Sequence, residues 1–392
     1  MDQISITLIL LVFAAIMFMW EKIPLALTSM IVCISLNITG VLDAKTTFSG
    51  FINTNVILFV AMFIVGGALF ETGMANEIGG LVTKFAKTEK QLIISIMIVV
   101  GILSGVLSNT GTAAVLIPVV VGISSKSGYS RSKLLMPLVF AAALGGNLSL
   151  IGAPGNMIAQ TALNNLNLSF GFFEYAKVGF PMLIVAIIFY ATIGEKFLPT
   201  HTITEEVNIG KHKDYSSIPK WKKVTSLIIL VLTGIITEKD AYKAIDMQTI
   251  FLFGGTLALA TALDKTGAGT VIANTIMSLV GTNTSPIVIL IMLLLKSCIL
   301  TNFMSNTATT ALLVPIGISI ANKIGADPRA VLMAIVVGGS CAYATPIGMP
   351  ANTMVLAPGG YKFKDYMKAG LPLIIISIIM STILLPIFFP FF

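Results

Sequence analysis

A polar motif set in an apolar frame occurs twice in this chain, almost two hundred residues apart. The first copy, Leu107–Ser124, reads LSNTGTAAVLIPVVVGIS, and the second, Met304–Ala321, reads MSNTATTALLVPIGISIA, with Ser, Asn, Thr, Thr, Ala, Leu, Pro and Ile at the same places. At nearly the same distance, a second signature follows each copy: Gly152-Ala-Pro-Gly-Asn156 and Gly348-Met-Pro-Ala-Asn352. Because both the order and the spacing recur, the sequence predicts two structural repeats that contribute the same polar groups.

Charged residues are scarce and are confined to short stretches between long apolar windows. Only 10% of the 392 residues are charged and 56% are hydrophobic, against roughly 25% charged in an average soluble domain. The charge-free windows include Ile4–Trp20, Pro24–Leu42, Val56–Phe70, Met136–Ala162 and Leu371–Phe392. Each is close to or above the roughly 20 residues that cross a hydrocarbon core of about 30 Å. The sequence therefore predicts an all-α polytopic protein embedded in the lipid bilayer of the cell membrane.

Other features of the chain argue against competing protein classes. The first apolar stretch lacks a basic n-region and a small-residue cleavage site, so we expect an anchor and not a signal peptide. Cys33, Cys298 and Cys341 lie in apolar segments without a pairing pattern, which predicts neither a disulfide nor a metal site. The net charge of +7 comes mainly from loops and reports membrane orientation, so no nucleic-acid partner is expected.

The repeats predict the domain organisation. The first repeat is expected over residues 1–195, a polar linker over 196–223 and the second repeat over 224–392. Each repeat should contain a helical hairpin, over 91–125 and 285–322, and a broken transmembrane helix, over 134–165 and 329–357. Lysines or arginines flank the first hairpin on both sides, which predicts a re-entrant hairpin that enters and leaves the membrane on its cytoplasmic face.

The number of membrane crossings is harder to derive from the sequence than the presence of two repeats. A related second repeat would have the inverted orientation, and we expect about nine spans plus the two hairpins. One crossing is either missing near residues 230–234 or hidden in the linker, which its lysine excess places in the cytoplasm. The two histidines, His201 and His212, lie among polar residues of this linker and are expected to be solvated.

The motifs offer neutral oxygen atoms for ion binding. Ser hydroxyls, Asn amide oxygens and backbone carbonyls suit an alkali cation, and neither motif has an Asp or Glu near it in the sequence. Pro154 and Pro350 interrupt their helices and so free backbone carbonyls. The N-termini of the resulting half-helices carry partial positive charge that attracts an anion. Adjacent cation and anion sites predict a sodium-coupled anion transporter.

Duplicated Ser-Asn-Thr hairpins followed by Gly-x-Pro-x-Asn breaks resemble the divalent anion:sodium symporter (DASS) family, within the ion-transporter superfamily, over nearly the whole chain. The resemblance implies a homodimer in which a transport domain moves as an elevator and couples Na⁺ to uptake of a di- or tricarboxylate or sulfate. It implies two sodium sites, one of Ser104, Ser108, Asn109 and the Gly152 carbonyl, the other of Thr301, Ser305, Asn306 and the Gly348 carbonyl. It also implies a substrate site of Ser108, Asn109, Thr110, Pro154, Ser305, Asn306, Thr307 and Pro350.

The chain departs from the family pattern in the residue after each motif glycine. Many dicarboxylate carriers of the family have Thr there, and this chain has Ala153 and Met349, so two hydroxyl groups are lost at the anion site. Family members commonly have about eleven spans, more than are expected here. Lys296 is the one charge inside a hairpin arm; it is either a snorkelling lysine or a fixed cation that aids anion binding or replaces a coupling sodium.

Alternatives within the transporter class stay open. They are a cation/proton antiporter or arsenite-type permease of the same superfamily, and a sodium-independent anion exchanger. The lack of an intramembrane Asp or Glu for proton relay argues against the antiporter. An intramembrane enzyme would need a nucleophile–base pair or metal ligands within a span, and neither histidine lies in one, so no enzymatic activity is expected. Two pseudo-symmetric sites at membrane depth favour alternating access over a channel.

Overall fold

The computed structural model describes residues 2–20, 22–53, 88–201, 238–280 and 285–390, together with residues 56–57, 60–61 and 64. In these ranges the chain forms sixteen α-helices, two short 3₁₀ helices and no β-strand, which confirms the predicted all-α class. The first eight helices are α1 Gln3–Trp20, α2 Leu25–Ile38, α3 Ala44–Phe48, α4 Glu89–Val106, α5 Asn109–Ser127, α6 Arg131–Gly145, α7 Pro154–Asn164 and α8 Ala176–Thr192. The second eight are α9 Glu238–Ala244, α10 Met247–Thr266, α11 Ala268–Val280, α12 Pro286–Leu300, α13 Asn306–Ile324, α14 Pro328–Gly339, α15 Pro350–Leu356 and α16 Phe363–Phe388.

Five of the described helices, α1, α4, α10, α13 and α16, are long and apolar enough to cross a membrane. Two of them, α4 and α13, belong to segments predicted to be hairpins, and several shorter apolar helices accompany them. The predicted total of about nine spans and the inverted orientation of the second repeat stay predictions. The proposed crossing near residues 230–234 and His212 lie outside the described residues.

Each predicted hairpin segment contains two helices separated by a short polar break. In the first, Leu107 and Ser108 are extended, and the Ser108 hydroxyl caps α5 by accepting a hydrogen bond from the Gly111 backbone N–H. In the second, Ser305 caps α13 in the same way through the Ala308 N–H. Such caps satisfy N–H groups that have no partner inside the helix, so the serine of each motif fixes where the second helix of its hairpin begins.

A second pair of breaks lies between α6 and α7 and between α14 and α15. The downstream helices begin at Pro154 and Pro350, in the first turn, where a missing N–H costs nothing. The Asn156 amide donates to the carbonyls of Gly146 and Ser149 at 2.9 and 2.7 Å. The Asn352 amide donates to the carbonyls of Ala342 and Thr345 at 2.6 and 2.9 Å. The Asn that ends each signature therefore holds the preceding loop in shape.

Two hydrophobic cores underlie this arrangement. The larger joins the hairpins and broken helices of both halves, and α6 and α14 run through it with almost every side chain buried. The smaller joins α1, α2 and part of α10 with a few residues of α13. Side chains of α10 contribute to both cores. Helices α4 and α6 approach closely because Gly101 and Gly145 face each other, and a Cβ atom at Gly145 would overlap the Gly101 carbonyl.

The positions of His201 and the three cysteines can be compared with what the sequence predicts. His201 is not simply solvated, because its Nε2 lies 2.9 Å from Asp365 Oδ2 at the start of α16 and the side chain is only one-third exposed. A polar neighbourhood in the sequence does not reveal a partner 164 residues away. Cys33, Cys298 and Cys341 are buried and unpaired.

Candidate functional site

The tips of both hairpins and the starts of both downstream half-helices line one cavity of about 170 Å³. All eight residues predicted to bind substrate lie in its wall: Ser108, Asn109, Thr110, Pro154, Ser305, Asn306, Thr307 and Pro350. Five further residues of the described ranges also lie in the wall: Leu25, Asp246, Gln248, Thr249 and Leu252. The cavity therefore lies between the motif residues of both halves and residues at the starts of α2 and α10.

The first hairpin tip is ordered by its own backbone and by the second half of the chain. Asn109 Oδ1 accepts a hydrogen bond from the Thr110 N–H at 2.9 Å. Its amide nitrogen points to the sulfur of Met349, 3.3 Å away, in the loop before α15. The Asn109 side chain is almost fully buried. The amide plane is thus held from both ends, with Met349 where a family threonine hydroxyl would be expected.

The second hairpin tip has the same local geometry and a different tertiary partner. Asn306 Oδ1 accepts from the Thr307 N–H at 2.9 Å, while the Asn306 backbone N–H donates to the Gly348 carbonyl at 3.3 Å. Gly348 also lies against Thr301, where a Cβ atom would overlap the Thr301 carbonyl. Only glycine permits this approach, so Thr301, Asn306 and Gly348 of the predicted second sodium site lie together.

The remaining predicted sodium ligands lie behind the cavity wall. Ser104 Oγ donates to the Ala142 carbonyl, and Thr301 Oγ1 donates to the Gly339 carbonyl, both at 2.6 Å and both fully buried. A hydroxyl that donates its proton in this way keeps its oxygen lone pairs available as acceptors. Gly152 is buried in the loop before α7, against Gly146. The chemistry of these groups fits a hard cation.

The helix N-termini at the cavity fit an anion. Helices α5, α7 and α13 all begin at residues of the cavity wall, Asn109, Pro154 and Asn306. The first N–H groups of a helix lack intrahelical partners and carry partial positive charge. Three such termini at one cavity give a positive potential without a basic side chain, because neither Lys nor Arg occurs among the lining residues that the structure describes.

Asp246 is the residue that the sequence analysis missed and that changes the electrostatics most. The motifs were expected to have no carboxylate near them, yet the exposed Asp246 side chain lines the same cavity. It caps α10 by accepting from the Thr249 N–H at 3.2 Å and from the Thr249 hydroxyl. Asp-x-x-Thr before an apolar run is an N-cap signal, but it says nothing about the distant motifs. The cavity thus has one formal negative charge at its edge.

A second cavity of about 480 Å³ adjoins the first and shares Leu25, Gln248, Ser305 and Pro350 with it. It extends past Ile23 and Pro24 in the connection between α1 and α2. It contacts motif residues of the second half only. The larger cavity therefore gives a route towards the candidate site from the side of the second hairpin.

Lys296 does not line either of these two cavities. It lies on an exposed face of α12 between Leu295 and Ser297, and the neighbouring exposed side chains Leu295 and Ile299 are apolar. This position agrees with the interpretation of a snorkelling lysine and does not bring its ammonium group to the candidate site.

Comparison with known proteins places this architecture in a family. A family model described as "Citrate transporter" matches residues 15–212 and 217–391. The chain belongs to the citrate transporter family. It is therefore a multi-pass membrane transporter and not an enzyme, as the sequence predicts.

Relatives of this citrate transporter family member include transporters of known and unknown substrate. An uncharacterised transporter of Methanocaldococcus jannaschii is 28% identical over 96% of this chain and 92% of its own length. The sodium-dependent dicarboxylate transporter SdcS of Staphylococcus aureus is 24% identical over 92% of this chain and 81% of its own length. These similarities confirm the predicted resemblance to sodium-dependent anion carriers.

A solved structure shows the same fold. The YdaH transporter of Alcanivorax borkumensis superposes with a TM-score of 0.68 at 15% identity, over 96% of this chain and 98% of that one. At this identity the likeness concerns the fold alone. The helices of this citrate transporter family chain thus follow an architecture already observed in a transporter.

Proposed function

We propose that the protein is a secondary active transporter of the cell membrane that couples Na⁺ to the uptake of a small divalent anion. The substrate class is a di- or tricarboxylate, or sulfate. The observation that carries the proposal is the single cavity in which both Ser-Asn-Thr tips and both half-helix prolines meet. The name of the S. aureus relative, a sodium-dependent dicarboxylate transporter, supports the same ion and substrate class.

Coupling follows from the residues that the two kinds of site share. Ser108 and Asn109 belong to both the proposed first sodium site and the substrate wall, and Ser305 and Asn306 do the same in the second half. A cation at either tip binds the oxygen atoms of these side chains and so orients them. Its positive charge also offsets the partial negative charge of those oxygens before an anion approaches. The partial positive charge at the N-termini of α5, α7 and α13 then attracts the anion's oxygens. Binding of the two ions is therefore mutually favourable.

The division into two cores supports an elevator-type movement. Most apolar side chains of the hairpins and broken helices lie in the larger core, α1 and α2 lie in the smaller one, and α10 and α13 contribute to both. The cavity wall combines the polar motif residues with Leu25 and Leu252 of the smaller core. We propose that the larger core is the transport domain and that the smaller core belongs to a scaffold. The homodimer implied by the family resemblance would be built on the scaffold.

Asp246 favours a second candidate function, coupling to protons in place of sodium. A carboxylate at the edge of a binding cavity is a group that a proton-coupled carrier requires. Its side-chain oxygens already accept bonds from Thr249, which argues for a capping role. Proton coupling and sodium coupling predict different driving gradients, so the two functions can be separated directly.

Uptake of labelled succinate, citrate and sulfate into proteoliposomes tests the proposal. We expect an inward sodium gradient to drive accumulation of at least one of these anions, and a proton gradient at equal sodium to have little effect. Uptake that depends on the proton gradient and not on sodium would reject sodium coupling and support proton coupling. Empty liposomes and liposomes with an Asn109→Ala/Asn306→Ala double variant serve as controls.

A further inference from the structure

The second threonine of each duplicated motif is assigned no role by the proposed sodium or substrate sites. Thr112 and Thr309 occupy the same place in the two copies of the motif, and both side chains are fully inaccessible to solvent. Neither hydroxyl oxygen has a hydrogen-bond partner within the described ranges. A buried hydroxyl without a partner costs about 1–3 kcal/mol, so its occurrence at both related positions requires a physical reason.

These two threonines also differ from most of the helical threonines that the structure describes, although the buried Thr28 of α2 likewise has no partner there. A threonine in a helix commonly donates its hydroxyl proton to the carbonyl four residues earlier. Thr310, next to Thr309, does so to Asn306 at 2.9 Å, and Thr161 and Thr256 do so to Met157 and Leu252. The default bond is therefore available in this fold, and the Thr112 and Thr309 hydroxyls do not make it.

Helical spacing puts each threonine on the same helix face as proposed sodium ligands. Thr112 follows Ser108 by four residues and Asn109 by three on α5, and residues at these spacings lie on one helix face. On α13, Thr309 has the same relation to Ser305 and Asn306. The backbone N–H of each threonine donates to the carbonyl of its motif serine at 2.9 Å, so the turn that carries the hydroxyl is regular.

A second unpaired oxygen accompanies the threonine in each half. Asn156 and Asn352 are fully buried, and the amide nitrogen of each donates hydrogen bonds to two backbone carbonyls. Their Oδ1 atoms have no hydrogen-bond partner in the part of the chain that is described. Each half thus presents two buried neutral oxygens that are free to accept a ligand, one on the hairpin and one on the half-helix.

We propose that Thr112 and Thr309 are further oxygen ligands of the transported alkali cations, one in each half, beyond the Ser-Asn and glycine ligands. An alkali cation satisfies a hydroxyl oxygen through its lone pairs and needs no carboxylate. The presence of the same orphaned oxygen in both halves fits two cations and not one accidental packing defect. This inference rests on the proposed sodium coupling and concerns the cation alone, independently of which anion is carried.

Sodium-dependent thermal stability of the purified protein tests the inference without any anion. A ligand that binds only the folded state raises the unfolding midpoint as its concentration exceeds Kd. Thr112→Val and Thr309→Val keep side-chain shape and remove the hydroxyl. We expect each to require about ten-fold more NaCl than wild type for the same shift, at ionic strength held constant with choline chloride. Thr310→Val, a neighbouring buried position whose hydroxyl is already bonded, should keep the wild-type sodium response.

Serine variants separate loss of the hydroxyl from loss of shape. Thr112→Ser and Thr309→Ser retain the oxygen, and we expect sodium responses near wild type even if a valine variant folds poorly. Without sodium, the valine variants should be at least as stable as wild type, since they lose an unpaired polar atom.

Two results would overturn the inference, and they differ in whether they also reject the proposed sodium coupling. A sodium-responsive wild type with unchanged valine variants, or with serine variants as impaired as the valine ones, rejects the threonine ligands and leaves sodium coupling standing. A wild type without any sodium response rejects both the threonine ligands and the proposed sodium coupling.

Discussion

The amide nitrogen of Asn109 lies 3.3 Å from the sulfur of Met349, so the first hairpin touches the broken helix of the other half. Residues 240 positions apart in the sequence are thereby neighbours, and Asn109 and Pro350, the residue after Met349, both line the cavity. A thioether sulfur is a weak hydrogen-bond acceptor. The contact orients the Asn109 amide and offers nothing to a substrate oxygen.

Replacing Met349 by threonine should improve carboxylate binding. Met349→Thr supplies a hydroxyl donor at the position where many dicarboxylate carriers of the family have one. One added hydrogen bond of about 1–1.4 kcal/mol corresponds to a roughly five- to ten-fold lower KM for succinate. Initial uptake rates in proteoliposomes measure this KM. Met349→Leu, which keeps the volume without a hydroxyl, is the control, and an equal gain in both variants would contradict the explanation.

Asp246 should select against extra negative charge on the substrate. Asp246→Asn keeps an efficient helix cap and removes the charge from the cavity edge. Because the group is exposed and solvent-screened, we expect only about a two- to five-fold lower KM for trivalent citrate, with a smaller change for divalent succinate. Asp264→Asn, near the opposite end of α10, should change neither. Equal effects on both anions would show that charge is not the cause.

Lys133 should hold together the ends of three segments that support the first hairpin. Its Nζ lies 3.0 Å from Glu89 Oε2 at the start of α4 and 3.2 Å from Glu195 Oε1 after α8. Lys133→Met leaves two partly buried carboxylates without their cation, and we expect a loss of roughly 1–2 kcal/mol of stability. Thermal unfolding in detergent measures this loss. Lys177→Met breaks the more exposed pair with Glu174 and should cost less than about 0.5 kcal/mol of stability. Equal losses of stability in the two variants would contradict the proposed role of Lys133 in joining these segments.

Lys296 should be dispensable for sodium coupling. Its side chain is exposed on α12 and does not line the candidate site. We therefore expect Lys296→Met to keep the sodium dependence and the KM of wild type in proteoliposome uptake. A changed sodium dependence at normal expression would restore the interpretation of Lys296 as a fixed cation that participates in coupling.

The parts of the site that the sequence predicted are those in which a motif occurs twice. The register of the two Ser-Asn-Thr copies fixed which residues are equivalent, and a polar tip in an apolar frame has to be buried against another polar group in a membrane. For this reason Asn109 and Asn306, far apart in the sequence, could be expected at one cavity.

Other features of the site carry no such signal. Asp246 lies about sixty residues before the second motif tip and more than 130 residues after the first, and its local pattern indicates only a helix cap. The direction of the Lys296 side chain depends on the rotation of α12, which a nearly uniformly apolar helix does not specify. The His201–Asp365 pair depends on where the chain passes after α8. Each of these is a tertiary relationship without a counterpart in local sequence.

Binding of succinate, citrate and sulfate to the purified protein, with and without sodium, tests the shared cavity most directly. We predict sodium-dependent binding of at least one of these anions to wild type, and its loss in both Asn109→Ala and Asn306→Ala, while Asn164→Ala, outside the cavity wall, binds normally. Full sodium-dependent binding retained in both tip variants would contradict the claim that the two hairpin tips form one site for cation and anion.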